Sequence, residues 1–316
     1  MKFPPRLLVV GESVIDVVVA PDGSTAYHPG GSPANVALAL GRLGHRPRLL
    51  TAIGRDPHGA VIGDWLTASD VELDPHSWTT HPTSTVVAHV EAKGAASYDS
   101  HVHWNPRPPT PAPVDFVHVG SISATQEPGD LIVEGVVQQA LRDGALLSYD
   151  PNVRPALVID EHRTRAVMLA LVANSDLVKV SDEDLAWIAP GQDAHEAART
   201  LLRRGPAMVV LTRGDRGASA YTRHGVISEL PPPVAVVDTI GAGDTLMAAL
   251  IAAMVERDLI TDHHTVTNRP RTARDRLDAL TALQVADTLR FAVAAAAVTV
   301  SRAGADPPWR REVVST

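Results

Sequence analysis

The chain has 316 residues, 45% of them hydrophobic, enough for one large α/β domain or two ordinary ones with a substantial core. Its formal net charge of −8, without any long basic run, argues against nucleic acid or an anionic membrane as the main partner. The absence of cysteine excludes disulfides, thiolate catalysis and Cys-ligated metal, and the 14 histidines show no His-Glu-x-x-His pattern.

The start, Met1-Lys2-Phe3-Pro4-Pro5-Arg6, precedes only four apolar residues, so no signal peptide is expected. The longest apolar stretch, 291–300, is too short to span a bilayer, and a soluble cytoplasmic protein is expected. Residues 7–10 read as a buried strand, and strand character resumes at 14–19 after Gly11-Glu12-Ser13. A turn at Pro21-Asp22-Gly23 and the run Pro29-Gly30-Gly31-Ser32-Pro33-Ala34-Asn35 follow. That run opens a helix over 36–43, with Ser32 as cap and Pro33 in the first turn, ended by Gly44. A strand at 49–53 and a helix at 59–69 come next. The segments 83–91 and 97–104 alternate in polarity around a turn at Lys93-Gly94, as strands of a half-exposed antiparallel sheet do.

A Pro-rich connector, 106–113, leads back to apolar strands at 116–119, 146–149, 177–180 and 208–212. Helical patterns occupy 130–142, 161–173, 194–204 and 285–300. Buried strands alternating with helices predict a doubly wound, mostly parallel sheet with helices on both faces. The alternating-polarity insertions at about 12–31 and 83–106 predict a small antiparallel lid over that core. The polar segment 262–276 reads as a surface loop.

The chemistry concentrates at Asp238-Thr239-Ile240-Gly241-Ala242-Gly243-Asp244. The Val-rich segment 233–237 before it reads as strand, and the Ala-rich run after it as helix. A small-residue turn at a helix N-terminus offers free N–H groups and the positive end of the dipole to an anion. A carboxylate planted there binds phosphate poorly, but suits removal of a proton from a hydroxyl that attacks phosphate. Phosphoryl transfer to an alcohol is therefore expected, with Gly241, Ala242 and Gly243 amides stabilising the moving group and Asp244 as base. A capped helix after a Gly-rich turn is the plainer alternative.

Other pieces fit that chemistry. Asp16 lies in an otherwise apolar run and can accept hydrogen bonds from vicinal hydroxyls. Gly30 and Gly31 allow close approach of a ligand, and Asn35 carries both donor and acceptor. Arg154, in Asp150-Pro151-Asn152-Val153-Arg154-Pro155, is a charge-assisted donor for phosphate oxygens, or part of a plain turn after a strand. Lys179-Val180-Ser181-Asp182-Glu183-Asp184 reads equally as a capped helix start. Thr212-Arg213-Gly214-Asp215-Arg216-Gly217 reads equally as a hairpin turn.

Taken in order, these motifs resemble the ribokinase-like (PfkB) carbohydrate kinases over nearly the whole chain, closest in style to fructokinases. The resemblance implies a single ribokinase-like kinase domain over 1–316 with an inserted lid. It implies ATP and Mg²⁺ as cofactors and a small sugar, phosphorylated on a primary hydroxyl, as substrate. Asp16, Gly31 and Asn35 are then sugar ligands. Lys179, Ser181, Asp184, Thr212, Gly214 and Gly217 fall to the nucleotide, with Asp184 standing one methylene short of the usual Glu that orders Mg²⁺. On that footing Asp184→Glu is expected to preserve or improve activity. Val293 stands where a polar residue is common near the adenine. Carbonyls around Asp238, Ile240 and Ala303–Gly304 are the expected site of a monovalent cation, K⁺ in potassium-activated relatives. The exposed lid is the expected homodimer contact. A kinase for 2-keto-3-deoxygluconate, ribose, a nucleoside or a sugar phosphate is the rival in the same class. A non-catalytic sugar-binding regulator is the rival outside it.

Overall fold

The computed structural model describes residues 4–20, 22–90, 96–257 and 273–313. In chain order the elements are β1 (Leu7–Val10), β2 (Val14–Val19), β3 (Thr25–Gly30), α1 (Ser32–Arg42), β4 (Arg48–Leu50), β5 (Ile53–Gly54), α2 (Pro57–Thr67), β6 (Glu72–Leu73), β7 (Trp78–Thr79), β8 (Thr85–Val90), β9 (Ala96–His101) and β10 (Phe116–Gly120). They continue with α3 (Asp130–Asp143), β11 (Leu146–Asp150), α4 (Glu161–Asn174), β12 (Leu177–Ser181), α5 (Asp182–Ile188), α6 (Ala194–Arg204), β13 (Met208–Thr212), β14 (Ala218–Thr222), β15 (Gly225–Glu229), α7 (Ala242–Glu256), α8 (Ala273–Asp278) and α9 (Ala282–Val300).

Nine strands form the central sheet in the order β15-β14-β13-β12-β11-β10-β1-β4-β6. Pairings from β6 to β13 are parallel, and β13–β14–β15 close one edge antiparallel. The core strands are mostly apolar because both of their faces are covered, with His118, Asp150 and Lys179 as buried exceptions. In β1, Leu7 and Val9 pack with α1, α2, α7 and α9, whereas Leu8 and Val10 pack with α3, α4, α5 and α6. The chain runs from β1 outward to β6, then returns to the other side of β1 through β10. The carboxyl ends of β1 and β10 flank that reversal, the place where open α/β sheets bind ligands.

The predicted lid is a separate sheet, β3-β2-β8-β9. Its outer pairs are antiparallel and its middle pair, β2–β8, is parallel, because the two insertions leave the core in the same direction. The expected turn at Lys93-Gly94 and most of the expected loop 262–276 lie outside the described residues.

Two expectations change. Residues 233–237 are not a strand: Pro231, Pro232 and Pro233 bring no N–H, and the stretch runs exposed beside α9 until Val237 and Asp238 donate to the Val300 carbonyl. The expected cap of α1 also shifts. Gly31 is the N-cap, at φ +105°, and Ser32 is the first helical residue. α9 is long and apolar enough to cross a membrane, but Val285, Leu289 and Ala292 are buried in the core that it shares with α7.

Candidate active site

One cleft of about 1050 Å³ opens at the carboxyl ends of the parallel strands. It runs between lid residues such as Asp16, Val86 and Val102 and α9 residues such as Val293, Ala296 and Ala297. At its centre the N-termini of α1 and α7 converge. α7 begins at Gly241, a left-handed residue at φ +75°, and no side chain caps it. The Ala242 N–H closes the preceding turn on the Thr239 carbonyl at 3.3 Å, and the N–H groups that follow it in the first turn are left for an anion.

Asp244, in the first turn of α7, reaches across to α1. Its Oδ1 accepts from Ser32 Oγ at 2.7 Å, and its Oδ2 from Asn35 Nδ2 at 2.8 Å. All three side chains are buried, while Asn35 Oδ1 has no partner. Lys179 lies close by: a Cβ on Gly243 would sit 2.9 Å from its Nζ. Its ammonium pairs with Asp150 Oδ2 at 3.0 Å. Burial drives Asp150 up to about 7, against the pull of Lys179. Burial works against the Lys179 ammonium too, but Asp150, Asp184 and Asp244 outweigh it and keep Lys179 charged.

The turn leading into α7 is closed by residues from the C-terminal end. Asp238 accepts the Ile240 N–H at 3.0 Å and the Gly304 N–H at 2.9 Å, bonds that hold its carboxyl below the usual range. A Cβ on Gly241 would meet that of Ala305 at 2.7 Å. Arg42 of α1 pairs with Asp306 and donates to the Pro307 carbonyl at 2.7 Å.

At the lid end, Asp16 faces the cleft above Gly30, where a Cβ would approach its Oδ2 to 2.5 Å. Burial raises Asp16, opposed by the charges of His28, its cross-strand neighbour, and Arg154. Glu12 lies beneath, its carboxyl raised by burial in spite of hydrogen bonds from Ser121 and Ser123. Ser121 carries a positive φ of 59°, a strained backbone of the kind that collects at ligand sites.

Residues 5–311 match the profile of the pfkB family carbohydrate kinases. The chain belongs to that family. It is 32% identical to a fructokinase of Rhizobium leguminosarum bv. trifolii, over 81% of each chain. The fold is that of a fructokinase from Xylella fastidiosa with bound ATP, at TM-score 0.82 and 24% identity over 98% of this chain and 97% of that one. A fructokinase double mutant from Vibrio cholerae O395, bound to fructose, ADP and potassium ion, matches at TM-score 0.78 and 24% identity, covering 96% and 95%. This ATP-dependent sugar kinase thus has the ribokinase-like architecture that its motifs imply.

Asp16, Gly31, Asn35, Arg154, Lys179, Ser181, Asp184, Thr212, Gly214, Gly217, Ile240, Gly241, Ala242, Gly243 and Asp244 all line the one cleft. Asp238 stands behind its turn. The kinase departs from expectation at Asp184. Oδ1 accepts the Val153 N–H at 2.7 Å, and Oδ2 accepts the Ser181 N–H at 2.9 Å and the Ser181 hydroxyl at 2.7 Å. The carboxylate is a reciprocal helix cap that also ties down the loop before Arg154. Among the described residues no group of three His, Asp or Glu side chains is arranged to hold a metal ion. Gly217 answers to packing, since a Cβ there would lie 2.1 Å from the Glu229 carbonyl oxygen of β15. Sequence reasoning passed over Ser32 as a partner of Asp244, the Lys179–Asp150 pair, and the Glu12–Ser121 floor. Only Glu12 carried a usable signal, as a charged residue between two apolar strands.

Proposed function

We propose that this kinase transfers the γ-phosphoryl group of ATP to a primary hydroxyl of fructose or a closely similar small sugar. The observation that carries the reading is Asp244, held by Ser32 and Asn35 at the uncapped N-terminus of α7. The sugar hydroxyl gives its proton to Asp244 as its oxygen bonds to phosphorus. The bond from phosphorus to the bridging oxygen breaks, and ADP leaves with that electron pair. The amides of Gly241, Ala242 and Gly243, with the Lys179 ammonium behind them, stabilise the transferring charge. Asp16 and the free Oδ1 of Asn35 hold sugar hydroxyls, with Arg154 between sugar and phosphates.

The nucleotide fits the apolar wall of Val293, Ala296 and Ala297 and the cradle at Thr212 and Gly214. Mg²⁺ on the ATP phosphates supplies charge neutralisation. Glu183 rather than Asp184 is the carboxylate left to face it through water. In this reading carbonyls of 238–240 and 303–304, backed by the Asp238 charge, would hold a monovalent cation. The chain acts as one kinase unit in the cytoplasm, and its lid, with Tyr27 55% exposed on β3, serves as the homodimer contact.

ATP consumption measured over a panel of sugars tests this. Fructose-dependent ADP formation is expected. Turnover confined to ribose, 2-keto-3-deoxygluconate, a nucleoside or a sugar phosphate would replace the substrate. Sugar binding without turnover on any of them would make the protein a sugar-binding regulator.

A further inference from the structure

A serine at the N-cap of a helix accepts a hydrogen bond from a backbone N–H of the first turn. Ser32 stands one residue further in, as the first helical residue. α1 is entered through Gly31, whose positive φ no other residue adopts readily and where a Cβ would lie 2.5 Å from the Glu12 carbonyl oxygen. Gly31 turns the chain and leaves the N-cap without a side-chain bond. The Ser32 hydroxyl is thereby directed at Asp244, 212 residues away.

The geometry on Asp244 is two-sided. An aspartate carboxylate turns easily about its last bond, because that torsion has broad wells. A single donor leaves this rotation open. Donors on separate oxygens, Ser32 at Oδ1 and Asn35 at Oδ2, fix the plane of the group. A carboxylate offers about four acceptor directions, so two remain for the substrate proton. Asn35 has a second duty, since it lines the cleft and its buried Oδ1 has no partner in the protein. Ser32 has one proton, and it is committed to Asp244.

Building on the reading of Asp244 as base, we propose that Ser32 is a positioning residue for phosphoryl transfer. Its hydroxyl sets the plane of the Asp244 carboxylate, so that a remaining lone pair points at the reacting hydroxyl of the sugar. Ser32 itself takes no proton, and the balance of the step is unchanged. Its contribution appears when the transition state forms and not when sugar or ATP binds, which places it in kcat.

The test compares Ser32→Ala and Ser32→Thr in the wild-type and Asp244→Asn backgrounds, with thermal melts of each. Ser32→Ala is expected to lower kcat about ten- to a hundredfold, the rate equivalent of one charge-assisted hydrogen bond, with both KM values within about twofold. Ser32→Thr keeps the hydroxyl and restores most of the rate. In the Asp244→Asn background, Ser32→Ala adds nothing, because the partner it acts through is gone. Should Ser32→Ala not fold, Ser32→Cys, a near-isostere with a weak donor, takes its place in the same comparison. A raised sugar KM at unchanged kcat would overturn the proposal in favour of a sugar ligand. An equal loss in both backgrounds, or a lower melting temperature with kinetics intact, would overturn it as well. Near-normal turnover of Asp244→Asn alone would instead sink the reading of Asp244, whatever Ser32 does.

Discussion

Lys179 and Asp150 meet at 3.0 Å on adjacent strands of the sheet, both side chains shut away from water, beside the turn at Gly243. Removing one member of such a pair leaves the other charge buried without compensation.

Lys179→Met should therefore destabilise the fold, by up to about 3–5 kcal/mol, and drive Asp150 further above the value of about 7 that it has beside the ammonium. Urea titration of the two proteins measures it. A variant as stable as wild type would mean that water reaches Asp150.

Asp244→Asn keeps the shape of the side chain and loses the ability to take a proton. Turnover should fall about 10²–10⁴-fold, with ATP and sugar binding retained. Steady-state kinetics with fructose decide it, and more than a tenth of wild-type kcat would remove Asp244 from the role of base.

Asp16→Ala should raise the sugar KM and leave that for ATP nearly unchanged, since each hydroxyl contact is worth about 0.5–1.5 kcal/mol, more with a charge. Gly30→Ala should do the same with the carboxylate still in place, because the added methyl group falls 2.5 Å from Asp16 Oδ2 and displaces it. An unchanged sugar KM in both would move the sugar away from the lid end of the cleft.

Asp184→Glu should lose stability, whatever it does to the activity that the family pattern alone expects it to preserve or improve. The longer side chain cannot hold Val153 and Ser181 in the same geometry, and a lost cap costs about 1–2 kcal/mol. Thermal melting and Mg²⁺-dependent turnover are the readouts. A variant equally stable and more active would restore Asp184 to the metal.

His118 lies buried on β10, with its Nδ1 2.9 Å from Ser148 Oγ and no partner on Nε2. Burial, with Lys179 nearby, depresses it to about 3 from an ordinary 6.5. The unfolded chain then binds a proton that the folded one refuses between these values, so stability is full above pH 6.5 and falls as pH drops toward 3. The slope is at most about 1.4 kcal/mol per pH unit for one group. Urea midpoints at pH 7 and pH 5 should differ less for His118→Gln than for wild type. An equal difference in both would clear His118 of the acid sensitivity.

Local patterns carried most of the architecture. The span of α6 and the bounds of β1 and β13 follow from periodicity and from apolar runs buried on both faces. The lid followed from alternation, because a strand carrying Asp99, His101 and His103 cannot sit inside a parallel sheet. Segment 233–237 misled because Val favours strands wherever it lies, and only the absent partner strand decides. The hairpin partners β14 and β15, the second at the sheet edge, are of mixed polarity, and their pattern is weak. In the site, the turn before Asp244 was legible because its chemistry is local to seven residues. The bonds from Ser32 to Asp244 and from Lys179 to Asp150 were not, since each joins side chains that only the folded sheet brings together. Asp184 and Gly217 show the converse: a capping pattern and a tight turn explain them without any ligand.

The contacts of Gly304 with Asp238 and of Ala305 with Gly241 have a consequence in time. β1 is made first, but the turn before α7 lacks its backing until residue 305 has been synthesised and has left the ribosome. The core helices can pack before that point, as domains form during synthesis. A chain that stops short of residue 304 would thus hold its sheet while the turn before α7 stands without that support.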